Sequence, residues 1–409
     1  MRRGILAIAG LACALTLVPA TTSAADTDLR TRLTGSLRSP ALSLGRTGAI
    51  ALDARTGAVL YAHNASLPVA PASNEKVPVS WAALQRLGPG FRFRTEVLGA
   101  GARVGATWKG DLFLKGYGDP TLHAQDVARL AAAVRRAGIT RVTGWIRGDE
   151  SVYDGRRDAP GWKPSFVGIE TPPLSALVVE RARGWGREKT PPLVAARLFR
   201  QALVARGVQV AGPAGLGAAP ESVELLAVDH SAALRSIVRA MNTDSDNFTA
   251  EMVLKQLGTL DGGNGSTAAG ARAVMTALTA AGIPTAGVRI VDGSGLSSLD
   301  RLTARALADV IRAGIWDERI GPAFLASFAV AGRTGTLETR MPNLTGVVRG
   351  KTGTTNIACS LAGLIRGDIV FAVLQNGSPV AFWPARVAQD RFVTTLAKSA
   401  RTGAASSPP

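Results

Sequence analysis

Strand-like runs stand at opposite ends of this chain, and that separation constrains its fold more than any other feature. Near the start, Ala49-Ile50-Ala51-Leu52 and Ala58-Val59-Leu60-Tyr61 flank Asp53-Ala54-Arg55-Thr56-Gly57, two apolar runs joined by turn residues, which predicts a β-hairpin. Near the end, Thr345 to Val348, Leu361 to Ile365 and Ile369 to Leu374 read as further strands. Helical patterns fill Ser231 to Met241, the stretch on to Leu257, Ala268 to Ala281, and Ala385 to Lys398, and the tail 401–409 is expected to be disordered. Strands bury their backbone groups only by pairing, so the two sets predict one sheet built from both ends with helices around it, an α/β (α+β) core of residues 27–88 and 231–400. Residues 89–230 mix short strand-like runs, Asp111 to Leu114 and Val142 to Ile146, with an amphipathic helix, Ala124 to Ala137, and read as an inserted module.

The N-terminus carries Arg2 and Arg3, an apolar run from Gly4 to Val18, Pro19, and then Thr22-Ser23-Ala24-Ala25. This is the pattern of a secretory signal peptide, expected to occupy 1–24 and to be cut after Ala24. The apolar run is shorter than the roughly 20 residues a membrane span needs, and no second stretch is long enough, so a secreted chain without an anchor is expected, periplasmic or extracellular. Cys13 would leave with the leader, and Cys359 alone cannot form an intramolecular disulfide.

Of 409 residues, 46% are hydrophobic and 19% charged, a balance suited to a globular enzyme and unlike disordered, coiled-coil or collagen chains. The net charge of +17 allows a polyanionic partner, either nucleic acid or an anionic envelope polymer. The densest basic run, Arg181, Arg183, Arg187 and Lys189, is interrupted by Glu188, and the charge is otherwise interleaved, so no nucleic-acid site is expected. Only eight of the 47 basic residues are lysine, which makes each lysine informative.

Ser73 and Lys76 are three apart, so a helix opening at Ser73 puts both on one face. A serine hydroxyl is a poor nucleophile until a base takes its proton, and a lysine can do so only if burial or a neighbouring cation lowers its pKa. Alone the pair also fits an N-cap serine followed by a solvated lysine. Ser245-Asp246-Asn247 is expected on a turn before a helix from Phe248 to Leu257, where ordinary capping would explain it equally well. Lys351-Thr352-Gly353-Thr354 lies at a strand edge or start. Arg-Thr-Gly begins at Arg46, Arg55, Arg333 and Arg401, but Lys-Thr-Gly only at Lys351. The three motifs occur in the order that marks penicillin-binding proteins and β-lactamases.

On these motifs the chain resembles the penicillin-binding D-alanyl-D-alanine carboxypeptidases that double as endopeptidases, the low-molecular-mass class C type. Gly116-Tyr117-Gly118-Asp119-Pro120-Thr121-Leu122, Asp292-Gly293-Ser294-Gly295-Leu296-Ser297 and Gly335-Thr336-Leu337 with Arg340 and Met341 extend the likeness over most of the chain. The resemblance implies a penicillin-recognising, β-lactamase-like core with an antiparallel sheet, flanking helices and an inserted module. It implies Ser73 as acyl-enzyme nucleophile, Lys76 as its base, Ser245 as proton relay to the leaving D-alanine, and Asn247 as holder of the substrate carbonyl. Lys351 would supply positive potential near the substrate carboxylate, Thr352 and Thr354 would bind it, and Gly353 would complete that binding strand. Backbone N–H groups of Ser73 and Thr354 would form the oxyanion hole. The implied partners are peptidoglycan stem peptides, with β-lactams as inhibitors. A β-lactamase-like hydrolase and a catalytically weak peptidoglycan-binding module are the alternatives.

His63, His123 and His230 show no triad-like grouping, no metal-ligand spacing occurs, and neither cofactor nor metal is expected. Tyr153 and Asp149 are candidates to read a side-chain amine of the substrate. Three departures from the family pattern stand out. Pro78 lacks the N–H that would bond to Asn74, which predicts a kink or a different helix start. Thr334 replaces a usual acidic residue, and Thr355-Asn356-Ile357-Ala358 is atypical.

Overall fold

A computed structural model of the chain describes residues 24–182 and 190–404. The expected leader lies outside the described residues apart from Ala24, as do Arg183, Arg187 and Lys189 of the basic run. The chain opens with helix α1 (Ala24–Leu37) and the hairpin β1 (Thr47–Asp53) and β2 (Val59–His63). Asp53 Oδ1 accepts from the backbone of Arg55 and Thr56, and Gly57 turns with φ +77°, which explains why the five residues between the runs make a tight loop. Helix α2 (Lys76–Leu87) follows.

The chain then builds a second sheet. Its strands are β3 (Arg94–Val104), β4 (Thr107–Gly116), β5 (Arg141–Val142), β6 (Ile146–Asp149), β7 (Gln209–Val210), β8 (Ala214–Leu216) and β9 (Glu224–His230). Helix α3 (Ala124–Arg136), the single turn α4 (Phe166–Ile169) and helix α5 (Pro191–Val204) are interspersed. The expected single run from Val142 to Ile146 is two strands, because Gly144 approaches β4 so closely that a Cβ there would lie 2.3 Å from Gly110 O. Val97, Trp108, Leu112 and Leu114 of the sheet bury against Leu130, Val134 and Phe199 of α3 and α5. The chain joins and leaves this sheet side by side, since Arg94 pairs with His230 and Ser231 N donates to Phe93 O at 2.9 Å.

Helices α6 (Leu234–Asp244), α7 (Asn247–Leu257), α8 (Thr267–Ala280), α9 (Ala304–Trp316) and α10 (Gly321–Ser327) come next. The last strands are β10 (Ala329–Val330), β11 (Val348–Thr354), β12 (Ala358–Ile365) and β13 (Ile369–Asn376), before helix α11 (Phe382–Ala404). Helix α11 continues past Arg401, where the tail was expected to begin, and residues 405–409 lie outside the described residues. The strand expected at Thr345 starts at Val348 instead, because Gly346 turns the chain at φ +74° and donates its N–H to Ala331 O.

These strands form a six-stranded sheet in the order β10-β11-β12-β13-β1-β2, antiparallel throughout. Both ends of the chain meet where Thr47 to Asp53 pair with Gln375 to Ile369. Side chains alternate across a strand, and here both faces are apolar. Val370, Ala372 and Leu374 pack with Trp81, Val253 and Phe324 on one face, whereas Phe371 and Val373 pack with Leu33, Phe392 and Leu396 on the other. The central strands are thereby buried on both sides, which leaves chemistry to the exposed end of β11.

Candidate active site

Ser73 lies in a 3-10 turn, Ala72–Glu75, and the α-helix proper opens at Lys76, not at Ser73 as the spacing predicts. Pro78 is the cause: as third residue of α2 its missing N–H has no intrahelical partner to lose, so the helix starts late and needs no kink. Ser73 and Lys76 still share one face. The turn is pinned to the sheet by Asn74 Nδ2, which donates to Ser360 Oγ at 2.8 Å, while Ser360 Oγ donates to Pro71 O at 2.6 Å.

Lys76 is fully buried, and its Nζ has three neighbours. It donates to Ser73 Oγ at 3.0 Å, to Asn247 Oδ1 at 2.8 Å and to the Ser294 carbonyl at 2.6 Å. Burial lowers the ammonium from 10.5 to about 8, against the opposing pull of Asp292, Glu251, Asp246 and Glu75. An amide oxygen and a backbone carbonyl can only accept. A neutral amine in this setting spends both N–H groups on them and turns its lone pair to the Ser73 hydroxyl.

Ser245 joins α6 to α7 in the left-handed region, φ +62°. Asp246 caps α7 by accepting from Thr249 N at 2.6 Å, which places Asn247 in the first turn and aims it at Lys76. The guanidinium of Arg181 pairs with Asp246 and donates to Thr249 Oγ1 at 3.0 Å, and Asn247 Nδ2 donates to Glu170 O at 3.2 Å. Residues from the second sheet's long connections thus hold the Ser-Asp-Asn turn from outside.

Strand β11 supplies the third wall. Strand β10 pairs only with Arg349 and Gly350, so among the described residues no strand covers the edge from Lys351 to Thr354. Lys351 is fully buried and donates to Ser245 Oγ at 2.8 Å and to Thr352 O at 2.8 Å. Burial, and then the charge of Lys76, push its ammonium well below the usual value. Gly353 faces the nucleophile turn so closely that a Cβ would stand 2.9 Å from Ser73 N. Thr352 is half-buried, and Thr354 is exposed at the mouth of a cleft of about 280 Å³ lined by Ala72, Phe166, Glu170, Leu296 and Ile357. All eight expected site residues, Ser73, Lys76, Ser245, Asn247, Lys351, Thr352, Gly353 and Thr354, therefore meet around one edge.

Of four buried carboxyls behind Lys76, Glu75, Glu251 and Asp300 carried no signal in the sequence, and Asp292 showed only as part of a family segment. Asp292 accepts from Gly295 N at 2.7 Å, Ser297 N at 2.7 Å, Ser294 Oγ at 3.2 Å and Trp162 Nε1 at 2.7 Å. Glu251 accepts from Gly293 N at 3.0 Å and Ser294 N at 2.7 Å, and burial together with Asp292 raises its carboxyl to about 8. Burial likewise raises Glu75 and Asp300 well above the carboxylate range. The Asp292–Ser297 segment was visible in the sequence as a family marker, and here it delivers the Ser294 carbonyl.

Tyr153 and Asp149 do not reach the cleft. Tyr153 is buried and donates to Met252 O at 3.3 Å and Gln256 Oε1 at 3.0 Å, while Asp149 is buried against Lys115 and accepts from Ser151 N and Ala219 N. His63 lies on β2, His123 caps α3 and His230 ends β9, all outside the cluster. Thr334, the altered loop position, accepts from Val330 N at 2.9 Å and closes its own turn.

Comparison with known proteins places this geometry in context. The chain is 33% identical over 385 residues to a carboxypeptidase DacB of Mycolicibacterium smegmatis, covering 86% of this chain and 80% of that protein. A D-alanyl-D-alanine carboxypeptidase of an Actinomadura species is 29% identical over 94% of this chain and 88% of its own length. The fold matches the crystal structure of penicillin-binding protein 4 from Haemophilus influenzae with a TM-score of 0.77 at 20% identity, over 91% of this chain and 99% of that one. A predatory peptidoglycan endopeptidase from Bdellovibrio bacteriovorus shares the fold with a TM-score of 0.56 at 18% identity, over 86% of this chain and 92% of that one. The D-Ala-D-Ala carboxypeptidase 3 (S13) family matches residues 29–185 and 180–398, nearly the whole described chain, and this protein belongs to that family of serine peptidases.

Proposed function

We propose that the protein is a secreted serine D-Ala-D-Ala carboxypeptidase, with endopeptidase action on D-amino-acid cross-links, that trims peptidoglycan stem peptides through an acyl-Ser73 intermediate. The arrangement around Lys76 carries this reading: a buried amine with two obligate acceptors and Ser73 Oγ as its third neighbour is built to take the serine's proton.

In the first half-reaction Ser73 Oγ attacks the carbonyl carbon of the penultimate D-alanine, and its proton passes to Lys76. The backbone N–H groups of Ser73 and Thr354 receive the oxyanion. Collapse breaks the peptide C–N bond, and Ser245, backed by Lys351 at 2.8 Å, relays a proton to the leaving amine. Water then cleaves the acyl ester and restores Ser73. Asn247 holds the substrate carbonyl, and Thr352, Gly353 and Thr354 with the positive field of Lys351 take the terminal carboxylate along the open edge of β11. A β-lactam enters the same path and stops at the acyl-enzyme. In this reading residues 89–230 form a domain inserted into the core of 27–88 and 231–400, the leader 1–24 exports the chain, and it works in the periplasm or outside the cell.

The test is the intact mass of the protein and its Ser73→Ala variant after incubation with penicillin. One drug adduct on the parent alone supports the reading. Rapid loss of that adduct with drug hydrolysis would point to a β-lactamase-like enzyme, and no adduct on the folded parent would sink the acyl-serine mechanism.

A further inference from the structure

Both obligate acceptors on Lys76 are governed by helix α7. Asn247, in its first turn, offers Oδ1 directly at 2.8 Å. Glu251 lies four residues on, on the same face of the helix. It does not touch Lys76 by a hydrogen bond; its Oε1 takes the N–H of Ser294, whose carbonyl meets Lys76 Nζ at 2.6 Å.

The geometry leaves that carbonyl no freedom. A peptide unit is planar, so the Ser294 carbonyl turns only together with the Gly295 N–H of the same plane. Asp292 Oδ1 holds that N–H at 2.7 Å. Glu251 holds the preceding plane through Ser294 N at 2.7 Å and also takes Gly293 N at 3.0 Å. With both flanking planes fixed, the dihedrals of Ser294 are fixed too. Gly295, at φ +81°, lies against the nucleophile turn, where a Cβ would come within 1.9 Å of Ala72 O. A displaced turn would therefore reach Ser73 as well as Lys76.

Glu251 is fully buried, and its second oxygen has no partner among the described residues. Such a group costs stability, and a role in placing Lys76 accounts for its being there. We propose that Glu251 is a positioning residue for Lys76, acting through the peptide of Ser294 to keep the amine's lone pair on Ser73. This rests on the reading of Lys76 as the base. The charged and titratable groups acting on Lys76 besides Glu251 are Glu75 from the nucleophile turn, Asp246 before α7, Asp292 from the turn beyond α8, and Lys351 on β11.

The experiment follows acylation of Ser73 by penicillin across pH in the full chain, separating prior binding from the acylation step, for Glu251→Ala, Glu251→Gln and Lys76→Ala. Glu251→Ala is expected to lower the limiting acylation rate about 10²-fold while binding changes less than about twofold. Its pH limb should also move to lower pH, because the Ser294 carbonyl, no longer fixed on Lys76 Nζ, ceases to favour the ammonium. A more readily deprotonated base that nevertheless reacts more slowly is the signature of lost positioning. Glu251→Gln keeps an acceptor oxygen and, like the protonated carboxyl it replaces, carries no charge, so it should recover most of the rate with the limb near the parent's. A folded Glu251→Ala that acylates at the parent rate overturns the proposal, as does a loss shared equally by binding and rate with the limb unmoved. If Glu251→Ala does not fold, Glu251→Asp, whose shorter side chain draws the acceptor away from Ser294 N, takes its place, and parent-like acylation with an unmoved limb in that variant overturns the proposal. Lys76→Ala acylating like the parent would instead remove the base reading itself, so the two failures are distinct.

Discussion

Lys351 Nζ lies 2.8 Å from Ser245 Oγ, and this bond joins the open edge of β11 to a turn that α6 and α7 hold in the left-handed region. Without it the ammonium keeps, among the described residues, the carbonyl of the next residue, Thr352, as its hydrogen-bond partner. Ser245→Ala should therefore leave the fold in place and remove the relay. Peptide turnover is expected to fall about 10²-fold or more, the usual worth of one proton-transfer group, with a folding cost of about 1–3 kcal/mol for the partner lost to a buried ammonium. Steady-state kinetics on a D-Ala-D-Ala peptide and a melting curve check both; unchanged kcat would remove Ser245 from the mechanism.

The ammonium of Lys76 is brought to about 8 chiefly by burial, and a base must be neutral to act. Below about 8 its neutral fraction falls tenfold per pH unit, so acylation by penicillin should rise with pH and level above about 8. Lys76→Arg places a permanent cation at the same point and should abolish acylation at every pH. A pH-independent rate in the parent between 6 and 9 would count against the amine, on the roughly tenfold-per-unit scale of such titrations.

Much of this site was legible because its chemistry is written in short local spacings. Ser73 and Lys76 meet on one helical face whether the turn is 3-10 or α, and Ser245 and Asn247 flank one capping residue. The hairpin was legible for the same reason, since its turn chemistry lies between its strands. What the sequence hid depends on contacts far along the chain. Glu251 reads as one more polar residue on an amphipathic helix until the Gly293–Ser294 backbone arrives beside it, and Asn74 is tied to Ser360 across 286 residues. Tyr153 and Asp149 are candidates for a substrate amine in the sequence as polar residues of the inserted module, whereas neighbours from elsewhere in the fold bury both.

Gly353 sits where β11 meets the nucleophile turn. A Cβ there would lie 2.3 Å from Ser360 Oγ, 2.8 Å from Pro71 O and 2.9 Å from Ser73 N. Two of these atoms are backbone, so Gly353→Ala must push the strand away from Ser73 and open the gap between the two N–H groups proposed for the oxyanion. Acylation should fall about 10²-fold, with a destabilisation of about 1–3 kcal/mol. Parent-like acylation in this variant would show that the strand edge does not set the oxyanion geometry.

The buried carboxyls also make stability depend on pH. Glu251 is raised from 4.5 to about 8, so the folded protein holds a proton that the unfolded chain releases near 4.5. A raised carboxyl stabilises fully below the unfolded value, and that contribution is lost as pH climbs through the folded one. The direction is therefore a fall in stability between about 5 and 8. Glu75 and Asp300 are raised as well and act with the same sign. Lys76 adds no slope in this window, because its ammonium is kept in both states until pH approaches about 8. The melting temperature should drop by about 5 °C or more across the window, given the few degrees that each kcal/mol moves a chain of this size. Glu251→Gln cannot ionise and should flatten part of that slope while leaving the value at pH 5 nearly unchanged. An equally steep slope in the variant would mean that Glu251 titrates near its ordinary value and that the cluster's proton resides on its neighbours.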